Sequence, residues 1–365
     1  MNRDKTLDCL RGFAMLQVVF VHAMYWLYSI KPTVAKSFLL FEMLVFFFVT
    51  GAVNSMKEHR SYGEFCLKRI KGLMIPYYIY AAICMVIAAV CYRNAGEFTP
   101  ALAFRMFLSW LVPLNTQMIP LWFYPWALWF VPVYLLGILL FPPIRKAVRR
   151  FGWMAIAAMV LLFVAVEIVL PLAVRNVPGE GGGLYVHRLS DILQETVFYS
   201  VFMAAGALHS RLKLREKRDG LLALAILVLS VAGLWISSSV FGRTLDMQEN
   251  KFPPNHVFLF YASAVMTLLY LALPVLKTLY RLLVRAVPPV DKWIALFSAN
   301  SMTVFLYQPF AFWGTYLLLR RYGLRKTAWE PYAAILLLYL LVWLIILLAN
   351  LLKAARNALA RRLAG

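Results

Sequence analysis

The chain has 365 residues, 63% of them hydrophobic, and its 37 Lys and Arg against 16 Asp and Glu leave a formal net charge of +21. A soluble domain carries roughly 45–50% apolar residues, and here the excess comes in long blocks, which excludes a water-soluble globule. The basic residues are dispersed between those blocks rather than gathered on one soluble face, which sets nucleic acid aside as a partner.

The apolar blocks are about as long as a bilayer-crossing helix and lack the two-residue alternation of an outer-membrane barrel. The fold class is therefore all-α, a polytopic membrane bundle of about ten spans. In chain order these are 10–30, 37–53, 73–92, 121–141, 152–173, 196–208, 220–241, 256–276, 293–319 and 331–352. The first has a basic start, but its apolar run exceeds a signal-peptide core and no small-residue cleavage site follows, so it reads as a retained span. The sixth is short and is expected to begin earlier, near Asp191. The piece 101–112 is too short to cross and carries Arg105, which suits an interfacial helix. No linker or internal repeat divides the chain, so 1–365 reads as one domain.

With the N-terminus inside, 25 of the 37 Lys and Arg fall on the inner side and 12 on the outer. Short Lys/Arg-rich loops stay cytoplasmic, so both termini are expected inside. Stretches such as "PPIRKAVRRF" and "HSRLKLREKRD" then also attract anionic membrane lipids. The longest outer loops, "VRNVPGEGGGLYVHRLSD" and "GRTLDMQENKFPPNH", have the Gly, Pro and polar content of lids. Cys9, Cys66, Cys84 and Cys91 show neither C-x-x-C spacing nor a neighbouring His cluster, so no disulfide and no metal is expected.

Ionisable groups inside a bilayer are costly, so each invites a functional reading. Arg11 and His22 are eleven residues apart; at about 100° per residue they share one stripe, roughly 16 Å apart along the axis. That puts Arg11 at the cytoplasmic mouth and His22 beyond the middle of the span. Imidazole accepts a proton near neutral pH and also attacks activated carbonyls, while the arginine fork binds phosphate. The plainer alternative is a packed histidine and an arginine that anchors a helix end. Glu42, in the second span, falls at a similar depth to His22; it either orients the imidazole or pairs elsewhere in the bundle. Lys68, Arg69 and Lys71 form a basic approach to the third span, either a topology signal or a pocket for the phosphates of a nucleotide-bearing donor.

The R-x10-H pattern of "LRGFAMLQVVFVH", with Arg11 and His22 in its fixed positions, resembles the opening motif of the membrane acyltransferase 3 family. The resemblance continues through "FFFVTG", "KRIKGLMIPYY", "LWFYPWALWFVPVYLL", "KFPPNH" and "NSMTVFLYQPF" and covers nearly the whole chain; the second and third of these stretches look most like the branch related to fucose 4-O-acetylases. It implies a ten-helix enzyme of a cell membrane, in the bacterial cytoplasmic membrane, that passes an acyl group, usually acetyl, from acyl-CoA to a hydroxyl of a sugar, polysaccharide or glycolipid. The histidine is then essential and the motif arginine supports use of the donor, acetyl-CoA. His22 and Glu42 are the catalytic candidates; Arg11, Lys68, Arg69 and Lys71 are the donor-binding ones. "NKFPPN" with Asn255, the aromatic face of Trp122, Trp126 and Trp129, and Gln308 are candidates for binding the acceptor, flat rings being able to stack on sugars, although aromatics also gather at ordinary membrane interfaces. Three departures stand out. Glu42 and Gln308 occupy places where many members carry histidine, and the family's R-x-x-R becomes Arg69 to Gly72, with Lys68 just before it and Lys71 within it.

Two rival readings keep the bundle and change the function: a transporter or flippase of a glycan or lipid intermediate in which His22 and Glu42 relay protons, and a non-catalytic membrane sensor. The lack of repeats and of Gly/Pro-broken helix pairs counts against the first, and the lack of an extra soluble domain against the second.

Overall fold

A computed structural model describes residues 5–27, 34–56, 61–111, 113, 126–179, 182–209, 217–324, 327 and 329–364. Among them, every regular element is helical, apart from one isolated bridge between Lys251 and Pro254. The helices are α1 (Lys5–His22, continued by a π-helical turn Ala23–Leu27), α2 (Val34–Ser37), α3 (Glu42–Ser55), α4 (Tyr62–Asn94), α5 (Pro100–Leu111), α6 (Phe130–Phe151, entered by a 3-10 turn Trp126–Trp129) and α7 (Trp153–Val174). They continue with α8 (Gly182–His209), α9 (Lys217–Ser239), α10 (His256–Ala286), α11 (Pro289–Ala299), α12 (Ser301–Arg321) and α13 (Glu330–Ala364).

Eight candidate spans among the described residues are long and apolar enough to cross a membrane: α1, α2 with α3, α4, α6, α7, α9, α10 and α13. Of the ten expected, α8 and α12 fall outside that set. Both carry polar groups along their length, and several are turned inward: Ser190, Gln194, Glu195 and Ser200 on α8, Gln308 and Thr315 on α12. Interior helices in a bundle can afford such groups where neighbours satisfy them, whereas lipid-facing ones cannot. Burial follows the same logic, since 67% of the α2–α3 span is buried, against 11% for α7 and 17% for α13, which places α3 at the centre and α7 and α13 at the lipid side. The short helix expected near 101–112 is α5, which lies along α4 through Met106 and Ala88, with Tyr77 Oη donating to the Trp110 carbonyl at 3.1 Å.

Lipid tails are as apolar as leucine, so close packing and polar contacts must hold the centre together. The α3–α8 interface shows how. A Cβ on Gly51 would lie 1.9 Å from the Met203 carbonyl oxygen, and one on Gly206 would lie 1.9 Å from the Phe48 carbonyl oxygen. Only glycine at both positions lets the two backbones meet, and Phe47 then stacks on Tyr199 with ring centroids 4.6 Å apart.

Two expected spans are interrupted. The second, 37–53, turns at residues 38–41 and starts afresh at Glu42, so the carboxylate sits in the first turn of α3, where the helix dipole favours negative charge. The ninth, 293–319, breaks at Asn300: its side-chain amide donates to the Leu296 carbonyl at 2.9 Å, the local bond by which asparagine competes with helix. Two broken helices are therefore present, though neither break falls at the glycine or proline expected of a transporter. Both breaks open onto the cavities described next.

Candidate active site

Two cavities lie one above the other along α1. The first, of about 320 Å³, is lined by Arg11, Lys68, Arg69, Thr50, Asn54 and Ser301 among others. The second, of about 640 Å³, is lined by His22, Tyr25, Glu42, Trp129, Arg188, Gln248, Lys251 and Phe252. Met43 and Phe305 belong to the walls of both. The eleven-residue spacing thus presents one end of the stripe to each cavity.

In the basic cavity, Arg11 lies 3.9 Å from Asp8 in an i,i+3 pair. Arg69 donates to the Asn54 side chain, whose own amide donates to the Thr50 carbonyl at 2.8 Å. Phe46 and Thr50 of "FFFVTG" face this cavity while Gly51 packs on α8, so the motif both lines the wall and seats the helix that carries it. The break at Asn300 starts α12 at the cavity wall with Ser301 and Met302, adding the positive end of a helix dipole to three cationic side chains. Lys68 is part of this wall; Lys71 is exposed on α4 and is not.

In the second cavity, His22 closes α1 where the helix widens into a π turn, a feature common at functional sites. Its Nδ1 lies 3.1 Å from Gln308 Oε1, and Phe312 meets the ring edge-on at 6.4 Å between centroids. Gln308 thus meets the imidazole at this nitrogen, while Glu42, which lines the same cavity, makes its hydrogen bond to another side chain. Lys251 Nζ donates to Glu42 Oε1 at 3.0 Å, and Glu42 Oε2 is buried without a hydrogen-bond partner among the described residues. Lys251 also sits over the rings of Trp129 and Phe252, 5.7 and 5.3 Å from their centroids, a desolvated cation between aromatic faces.

The acceptor-binding candidates separate. Trp129 lines the cavity; Trp126 opens the 3-10 turn before α6; Trp122 lies outside the described residues. Asn255 does not line it. Its oxygen accepts from the Phe258 N–H and so caps α10, and its amide donates to Asn250 Oδ1 at 2.7 Å, so both polar groups are spent on the loop. The loop is further held by Gln194 Nε2 on the Pro254 carbonyl and by His256, whose Nδ1 is 2.7 Å from Glu167 Oε1.

Lys251 and Arg188 escape a reading that weighs only ionisable groups inside spans, because both lie in stretches read as outer loops. Arg188 is forked onto Glu195 at 3.2 and 3.5 Å and lies 3.9 Å from Asp191. A signal for them exists in the sequence: outer loops are poor in Lys and Arg, so a lysine set against Phe-Pro-Pro there asks for a buried partner.

Residues 4–352 match a family model described as an acyltransferase domain. No curated protein and no solved structure matches the chain.

Proposed function

The chain belongs to this acyltransferase family, acyltransferase 3, and on that premise we propose that it moves an acyl group, acetyl by preference, from acyl-CoA in the basic cavity to a hydroxyl of a cell-surface sugar, polysaccharide or glycolipid in the second. Within that proposal, a sugar hydroxyl of the kind used by fucose 4-O-acetylases is suggested by the stretches "RIKGLMIPYY" and "ALWFVPVYL" alone. The supporting observation is that one helix delivers Arg11 to one cavity and His22 to the other, with Met43 and Phe305 common to both walls.

In this reading both termini are cytoplasmic, 1–365 acts as one multi-pass domain of a bacterial cytoplasmic membrane, and the basic cavity faces the cytoplasm. Arg11, Lys68 and Arg69, with the start of α12, hold the donor phosphates through charge-assisted bonds. The thioester then lies near Met43 and Phe305. His22 takes the proton of an acceptor hydroxyl as its oxygen attacks the thioester carbonyl; the C–S bond breaks, the thiolate leaves and the ester remains. The alternative order, in which His22 is first acylated and then gives the acyl group to the hydroxyl, uses the same atoms. Trp129, Phe252 and the Glu42–Lys251 pair shape the space for the acceptor. A proton relay through His22 and Glu42, as a transporter would need, is less well supported, since Glu42 is committed to Lys251.

Mass spectrometry of surface glycans and lipids from cells with and without the gene tests this function. A single acetyl-sized difference is the expected result, and identical acetylation in both would contradict it.

A further inference from the structure

We propose that Gln308 is the positioning residue of the transfer: it holds the His22 ring with its hydrogen on Nδ1, leaving Nε2 as the nitrogen that takes the hydroxyl proton or carries the acyl group. This rests on the reading of His22 as base or nucleophile, and it adds which nitrogen acts and what selects it.

Pro309 follows Gln308 on α12. Pro309 lies inside the helix and has no N–H, so the carbonyl four residues before it, that of Phe305, loses its helical donor. Gln308 Nε2 donates to that carbonyl, at 3.2 Å. A carbonyl oxygen only accepts, so the NH2 end of the carboxamide must face Phe305. Turned the other way, the amide would set two acceptors against each other in a site where Gln308 is 0% exposed.

With the NH2 end committed, Oε1 is the atom 3.1 Å from His22 Nδ1. That oxygen also only accepts, so Nδ1 carries the hydrogen and donates it. A neutral imidazole has a single N–H, and Nε2 therefore holds the lone pair. Phe312, on the same helix as Gln308, fixes the plane of the ring. The adjacent pair Gln308–Pro309 thus acts as one device: the proline frees a carbonyl, the carbonyl sets the amide, and the amide sets the tautomer.

The experiment uses the full chain in detergent with 15N-labelled histidine, the His22 signals being identified by their loss in His22→Gln. Ring 15N shifts separate a protonated from a bare nitrogen. The proposal expects a protonated Nδ1 and a bare Nε2 in the resting protein; the opposite pattern overturns it. Kinetics supply the second arm. Gln308→Met keeps the volume but has no acceptor, and should lower kcat by about 100-fold or more while KM for acetyl-CoA stays within about twofold, the behaviour of a lost proton-transfer geometry rather than of lost donor binding. Gln308→His has one ring nitrogen to accept from His22 and another to donate to Phe305, and should stay within about tenfold of the parent. Parent-level turnover by Gln308→Met overturns the proposal. A parent protein that transfers no acyl group, or a His22→Gln protein that transfers normally, would instead overturn the reading of the site itself.

Discussion

Lys251 Nζ and Glu42 Oε1 stand 3.0 Å apart, both side chains at most 5% exposed, and tie the segment before α10 to the first turn of α3. The pair brings together residues 209 positions apart in the chain at the wall of the larger cavity. Removing one member of a buried ion pair strands the other charge, at a cost of about 3–5 kcal/mol. Lys251→Met should therefore lower the thermal midpoint of the purified protein markedly. Lys251→Met with Glu42→Gln removes both charges and should recover much of the loss. A double variant no more stable than Lys251→Met would show that the charge is not what matters.

The α3–α8 contact predicts an effect from a single methyl group. Gly51→Ala places a carbon 1.9 Å from the Met203 carbonyl oxygen, backbone that cannot swing aside, so the helices must separate. Overpacking of this kind costs typically about 1–3 kcal/mol. A lower melting temperature and lost transfer, both readable on the purified protein, are expected. Gly63→Ala, where nothing lies within 4 Å of the added carbon and no cavity wall is touched, serves as the neutral control.

Much of this could be read in advance, and the gaps have physical causes. The shared stripe of Arg11 and His22 was legible because eleven residues on a helix make a geometric statement that needs no partner. The pairing of Glu42 was not, because its partner comes from a loop 209 residues away and depth alone favoured the imidazole of His22 as its neighbour. The break at Asn300 escaped because an apolar window does not register a side chain bonding back to Leu296. The polar faces of α8 and α12 led in the other direction: their length suits a span, while their inward-turned Glu195 and Gln308 keep them outside the set recognised by apolarity.

The basic cavity predicts a contrast between two neighbouring lysines. Lys68 lines it and Lys71 does not. A charge-assisted contact is worth about 1.5–3 kcal/mol, so Lys68→Ala and Arg11→Ala should each raise KM for acetyl-CoA by about tenfold or more, with Lys71→Ala close to the parent. Steady-state kinetics with varied donor check this. Equal effects of Lys68→Ala and Lys71→Ala would reduce the cluster to a topology signal.

The 25 to 12 division of Lys and Arg predicts that tags on both termini react only with probes that reach the cytoplasm. A C-terminus labelled from outside intact cells would mean an odd number of crossings, and the basic cavity would lose its assignment to the donor side.

The most direct test of the whole account is the turnover of His22→Gln, measured as labelled acetyl passing from acetyl-CoA to acceptor in proteoliposomes supplied with envelope glycans and lipids. Glutamine keeps much of the volume and hydrogen-bonding capacity of the ring but takes no proton near neutral pH. The account predicts a protein that inserts, folds and binds CoA like the parent, with transfer reduced by about 100-fold or more. Near-parental transfer by the correctly inserted variant would contradict it and remove His22 from the chemistry.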